Sequence, residues 1–261
     1  MNLTSYIYLI KQLVSRDVAG RYKGSLLGGV WAVISPLIML AVYTFVFSIV
    51  FQARWGVGDA GNKTSFALNL FVGILLHGLL AETLSRTPTI LMQQASFVKK
   101  IVFPLWLLPV SVVLSALVYT LIGFMVLFAA FLLFQGMLPL QMLALPLVLL
   151  PLLLFCLGAG WFFAALGVYV RDVAQIMPLF ITILMFMAPV FYPISAIPEQ
   201  YQGWLMINPL TYAVEMGRSL LFLQQLPALG SYCAYLTVSL VCAALGLVFF
   251  LKVRKGFADV L

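Results

Sequence analysis

Residues 101–170 run for 70 positions without a charged side chain. Such a segment cannot be the surface of a soluble domain, where about a quarter of residues are charged. Nor can it be one helix, because about 20 residues already cross a hydrocarbon core of about 30 Å. It has to fold back, and Gln135, Gly136, Pro139 and Gln141 supply the polar and helix-breaking residues for the turn. Uncharged runs at 24–53, 64–81, 173–198 and 219–251 repeat the pattern in a chain that is 64% hydrophobic and 8% charged, with mean hydropathy +1.15. The expectation is one all-α integral membrane domain over residues 1–261, with six spans at roughly 28–52, 64–83, 104–134, 142–169, 173–192 and 228–251.

Orientation follows from Lys and Arg, which are retained on the cytoplasmic side of short loops. With the N-terminus inside, Lys11, Arg16, Arg21, Lys23, Arg86, Lys99, Lys100, Arg171, Lys252, Arg254 and Lys255 share one side. The other side has Arg54, Lys63 and Arg218. Eleven against three puts both termini in the cytoplasm, and the net charge of +7 is first a topology signal rather than a sign of nucleic-acid binding.

The stretch after the fifth span is neither span nor soluble loop. Pro189, Pro193, Pro198 and Pro209 interrupt it while the residues between stay apolar. Non-helical backbone at membrane depth is tolerated only where protein or a wet cavity satisfies it, so short helices dipping into the interface are expected. Asn208 followed by Pro209 reads as an N-cap with Pro at the first helical position, starting a helix that runs to about Phe222. A capping oxygen suffices for that role, so Asp or Ser is expected to replace Asn208. An ordinary Pro-rich outer loop is the competing reading.

Residues 3–18 place Leu3, Ile7, Ile10, Leu13 and Val14 near a helical period, as in an interfacial amphipathic helix. The basic residues Arg16, Arg21 and Lys23 then stand before the first span, where they either anchor the chain or meet an anionic lipid head. The connection 82–104 carries Thr87, Pro88, Ile90, Leu91, Phe97 and Val98 before Lys99 and Lys100, and a short amphipathic helix there could dock a partner or simply sit at the interface. The outer stretch GVGDAGNKT resembles a phosphate-binding loop only superficially, because Asn62 separates Gly61 from Lys63 and no strand precedes it. His77 is the single histidine, and Cys156, Cys233 and Cys242 lack paired spacing. No metal site, disulfide framework or catalytic group is indicated. The 30-residue first apolar run exceeds a signal-peptide core of about 7–15 residues, so it is expected to remain in place.

Four ordered segments together resemble ABC-2 type permeases of the polysaccharide-exporting group, which serve O-antigen, capsule and teichoic-acid export. They are SRDVAGRYKGSLLGGVWAVISPL at 15–37, FVKKIVFP at 97–104 with LLP at 107–109, YVRDV at 169–173, and APVFYP at 188–193 with INPLTY at 207–212. Relatives often carry a basic residue after the Phe-Pro; Leu105 and Trp106 stand here. The resemblance implies a homodimer in the bacterial inner membrane, paired with two copies of a separate ATPase that supplies ATP and Mg, none being bound by this chain. It implies a lipid-linked glycan substrate met by Arg16, Arg21 and Lys23, and a cytoplasmic coupling helix with Arg86, Gln93, Gln94, Lys99 and Lys100 facing the ATPase. An outer gate would involve Pro189, Tyr192, Pro193, Pro198, Asn208 and Pro209. A drug or small-lipid exporter of the same class is the alternative. An ion-coupled transporter is disfavoured because none of the five runs holds an acidic residue, and a membrane transferase because no carboxylate pair falls on one face.

Overall fold

The computed structural model describes residues 3–50, 63–99, 103–136 and 138–260. Arg54 and the rest of the outer loop at 51–62 lie outside them, as does Lys100. Backbone groups in hydrocarbon can be satisfied internally by helices, and no strand occurs among the described residues. Helix α1 (Leu3–Arg21) precedes α2 (Trp31–Tyr43), which continues into a π-helical stretch, Thr44–Val50. Then come α3 (Lys63–Gln93), α4 (Ala95–Lys99), α5 (Leu107–Gln135), α6 (Leu145–Tyr169) and α7 (Val173–Phe186). Short α8 (Glu199–Leu205), α9 (Pro209–Phe222), α10 (Leu229–Val253) and α11 (Phe257–Val260) complete the chain.

Among the described residues, five stretches are long and apolar enough to cross a membrane: Gly28–Phe47, Phe66–Gln93, Leu107–Gln135, Leu140–Tyr169 and Leu229–Val260. The expected turn in the long uncharged run forms where its residues suggest. Gly136 closes α5 at φ 74° with its N–H on the Leu132 carbonyl, a left-handed position that glycine occupies without a Cβ clash. Helix α3 is the central post, two-thirds buried (67%) over its apolar window against 6% for the window containing α2. Its Phe71, Leu76, Leu79 and Leu84 are buried in a core shared with α5, α6 and α9. At one end, Tyr169 donates to the Val253 carbonyl at 2.8 Å and Phe257 packs on Phe250 with ring centres 5.4 Å apart.

Two elements depart from expectation. Helix α3 runs straight through Pro88 for 31 residues, about 46 Å at 1.5 Å per residue, so no separate helix starts at Thr87. Proline removes one backbone donor, here the one for the Leu84 carbonyl, and the Thr83 and Thr87 hydroxyls do not replace it, since they donate to the carbonyls of Leu79 and Thr83, at 2.9 and 2.8 Å. Thr83, Thr87 and Leu91 are also fully buried, so tertiary packing holds the helix together, and only five-residue α4 follows. The second departure is α7, which stops at Phe186 after 14 residues, about 21 Å. The reason lies in the segment beyond it.

Helices α6 and α10 approach backbone to backbone. A Cβ on Gly158 would overlap the Cys242 carbonyl, and one on Gly246 would overlap the carbonyl of Gly158, the close approach that small residues permit in membranes. Gly158→Ala and Gly246→Ala should therefore each destabilise the bundle by roughly 1–3 kcal/mol. Gly78→Ala, in open space on α3, should be neutral or stabilising by up to about 1 kcal/mol. Thermal unfolding in nanodiscs should separate the two classes.

Candidate functional site

At one end of the bundle, the last turn of α1 lies against the far half of α3. Asp17 and Arg21 are one turn apart on α1, and Glu82 and Arg86 one turn apart on α3, so each pair shares a helix face. Arg86 grips Asp17 with both guanidinium nitrogens, Nη1 on Oδ2 at 2.9 Å and Nη2 on Oδ1 at 2.5 Å. Its Nη1 also donates to Glu82 Oε1 at 3.0 Å, and Arg21 Nη2 donates to the same oxygen. The Arg21 guanidinium carbon lies 3.9 Å from the centre of the Tyr119 ring on α5, and the Tyr119 hydroxyl donates to the Val18 carbonyl at 3.1 Å. One alternating network thus fastens the interfacial helix to two spans.

Burial pushes the Asp17 carboxyl up, but the Arg86 hydrogen bonds and charge, with Arg21 farther off, hold it below its ordinary value. Beside the network lies a recess of about 370 Å³ lined by Arg16, Asp17, Arg21, Arg86 and Gln94. The structure therefore brings together Arg16 and Arg21, expected at a lipid head, with Arg86 and Gln94, expected to face an ATPase. Lys23 sits in the exposed turn beyond α1 and does not line the recess. Gln93 donates to Thr89 Oγ1 at 3.1 Å. Lys99 ends α4.

Toward the other end, the chain leaves α7 and breaks. The Tyr192 hydroxyl donates to the Phe186 carbonyl at 2.8 Å, Pro193 precedes a 3-10 turn at Ile194–Ala196, and Pro198 takes the N-cap position of α8. The helix that Asn208 and Pro209 predict is present as α9, Pro209–Phe222. Asn208 Oδ1 accepts from the Leu210 N–H at 3.0 Å, while its Nδ2 donates to the Leu184 carbonyl of α7 at 2.8 Å. The same side chain therefore caps α9 and ties it to α7, a second bond that capping chemistry alone does not suggest.

Arg218 completes the segment. Read from the sequence only as an outer-side charge, it is 5% exposed and donates to the backbone carbonyls of Pro189, Val190 (2.8 Å) and Asn69 (3.2 Å), with Glu215 at 3.3 Å. Gly73 makes room, since a Cβ there would stand 3.3 Å from Arg218 Nη2. An Arg three residues after a Glu in an otherwise apolar stretch is itself the signal, because an ionisable group in a membrane is retained for a reason. The bonds to Pro189 and Val190 occupy carbonyls that the broken segment would otherwise leave in a low-dielectric setting, and the bond to Asn69 ties them to α3, which is why α7 can end early. Below α9, an apolar cleft of about 840 Å³ runs between α6, α7 and α10, lined by Phe155, Phe162, Phe180, Trp204 and Asn208 among others. Among the described residues no group of acidic, His or Cys side chains could hold a metal ion.

Two outcomes test this geometry. Because the Asp17 carboxyl is held below its ordinary 3.8, its contribution is complete above about pH 4 and is lost as pH falls through the lower folded-state value. Spin labels on α1 and α5 should therefore separate on acidification below that point in wild type, while Asp17→Asn should show a looser α1 at neutral pH and a smaller acid step, the Arg21–Glu82 pair remaining. Asn208→Ala should cost about 1–3 kcal/mol in thermal unfolding, from the lost cap and the orphaned Leu184 carbonyl. Asn208→Ser should recover the cap alone, and Asn208→Asp less than Ser, because it sets a carboxylate oxygen against that carbonyl.

The family profile described as ABC-2 type transporter matches residues 8–222. The O-antigen export system permease protein RfbA of Klebsiella pneumoniae is 27% identical over 262 aligned positions, covering 100% of this chain and 97% of that protein. The Myxococcus xanthus protein of the same name is 26% identical, covering 98% and 96%. The polysialic acid transport protein KpsM of Escherichia coli is 22% identical over 210 positions, 80% and 79% of the two chains.

Proposed function

The chain belongs to the ABC-2 type transporter family, and from that premise we propose that it is the permease subunit of an ATP-driven exporter moving lipid-linked polysaccharide, of O-antigen or capsular type, out of the cytoplasm across the bacterial inner membrane. The observation that carries the reading is end-to-end similarity to O-antigen export permeases, 27% identity over the full chain. ATP and Mg act in a separate ATPase, two copies serving a permease homodimer whose termini are cytoplasmic. In this reading α7 is the fifth and α10 the sixth of six crossings in a single domain over residues 1–261, with α8 and α9 as gate helices between them, and much of the exposed apolar surface of α2 and α10 faces lipid or the second copy.

Each end of the protomer takes one task. The recess beside Arg16 and Arg21 receives the anionic head of the substrate's lipid, with Lys23 adding long-range attraction. Arg fits phosphate oxygens with a planar fork. The apolar cleft of about 840 Å³ suits a hydrocarbon tail. Gln93, Gln94, Lys99 and Lys100 meet the ATPase, and Arg86 passes the resulting movement to α1 through Asp17. Pro189, Tyr192, Pro193, Pro198, Asn208 and Pro209 shape the outer gate, which moves because nucleotide-bound and free partners favour different arrangements.

The test is reconstitution. The purified chain alone should hydrolyse no ATP, whereas proteoliposomes holding it with its ATPase should move a lipid-linked O-antigen-type glycan in an ATP-dependent way. Turnover by the chain alone, or ATP-dependent movement of small drugs without glycan, would overturn the reading. At matched membrane levels Arg21→Ala should slow export about tenfold or more, in line with losing charge-assisted bonds worth about 1.5–3 kcal/mol. Arg21→Lys should weaken export more than Lys23→Arg does.

A further inference from the structure

At the end of the bundle remote from the Asp17–Arg86 network, three separate segments converge. Gln135 comes from the last turn of α5, Gln141 from the 3-10 turn Leu140–Ala144, and Gln224 from the stretch after α9. Together with Phe131, Pro139 and Leu140 they line a recess of about 410 Å³, inside the range of roughly 300–1,000 Å³ common for small-molecule sites. A neighbouring recess of about 740 Å³ shares Leu140, Gln141 and Gln224 and continues past Leu147 and Leu226. Neither lining contains a charged residue.

The chemistry of that lining is specific. A glutamine amide offers two N–H donors and a carbonyl acceptor, so three of them match a neutral ligand whose hydroxyls both donate and accept. An anion would want a cation, and the lining has none. The apolar floor suits the C–H face of a sugar ring. Among the described residues none of these three amides is hydrogen-bonded to another protein group.

Gln224 carries the argument further. It is the one non-glycine residue with positive φ among the described residues, at 54°, and the Gln225 N–H bonds back to the Ser219 carbonyl at 3.1 Å. That is the left-handed position just past a helix end where glycine is favoured. A side chain other than glycine's carries a backbone cost there, which Gly would relieve. The position is also mechanically linked to α9, since Phe222 packs on Phe131 with ring centres 5.4 Å apart.

We propose that Gln135, Gln141 and Gln224 form a binding subsite for a neutral sugar unit at the outer end of α9. The ligand class rests on the reading of the chain as a glycan exporter, and in that setting the subsite contacts the emerging chain where the gate helix ends. The test uses the full chain in phosphatidylcholine nanodiscs, with saturation-transfer NMR to a neutral glucose hexasaccharide, a neutral mannose hexasaccharide, a sulfated hexasaccharide, and glycerol as the mimic of lipid-head hydroxyls. Transfer is expected to at least one neutral hexasaccharide, and weaker or no transfer to the sulfated one and to glycerol. Gln224→Gly relieves the backbone while deleting the amide, so its thermal stability should match or exceed wild type as its saccharide Kd rises at least tenfold, and Gln141→Ala should act in the same direction.

Four outcomes overturn the proposal: no transfer to either neutral saccharide, equal transfer in wild type and both variants, preference for the sulfated ligand, or glycerol binding as well as the hexasaccharides. Export by the complex is scored separately. Working export without saccharide transfer removes the subsite and leaves the exporter reading standing. Saccharide transfer by a chain that exports no glycan does the reverse.

Discussion

A carbonyl left without a donor in hydrocarbon costs several kcal/mol, and the part of this protein that follows α7 is shaped by that cost. The chain leaves α7 at Phe186, turns through Pro189 and Pro193, and re-enters as α8 and α9 without the protection of a continuous helix. Two side chains make this tolerable. Arg218 covers the carbonyls of Pro189, Val190 and Asn69, and Asn208 covers that of Leu184 while capping α9. Because both reach backbone of other segments, α9 is positioned by α3 and α7 rather than by its own short length.

The opposite end uses charge instead of backbone satisfaction. Asp17 and Glu82 each accept from Arg86, and Glu82 also accepts from Arg21, so a displacement of α3 reaches α1 through bonds rather than through a flexible turn. Packing between the ends is dense where α3 runs and thin around α2, and at the α6–α10 crossing two glycines bring backbones into contact. A rigid centre with polar fasteners at each end is an arrangement in which two states can differ by exchanging a few bonds, the condition for a partner's nucleotide state to bias one of them.

Some of this was legible from local chemistry. The fold-back near Gly136 and the start of α9 at Asn208-Pro209 depend on conformational preferences that belong to the residues themselves. The path of α3 through Pro88 was not, since proline signals a break and only burial of Thr83, Thr87 and Leu91 against neighbouring helices overrides it. Likewise α7 looked long because its residues stay apolar past Phe186, whereas its end is set by donors that arrive from residues 208 and 218. Grouping by loop separated Arg86 from Arg16 and Arg21, and the fold places them around one recess.

By itself the sequence determined that this chain lives in a membrane, that its long uncharged run turns near Gly136, and that Asn208 caps α9, because hydropathy and local backbone preference act over a few positions. The tertiary structure alone decided which carbonyls Arg218 and Asn208 satisfy, that Asp17 meets Arg86 across 69 positions of chain, and that three distant glutamines share one recess. Those pairings depend on how helices stack in three dimensions, and stacking is settled by the whole set of close approaches rather than by any one segment.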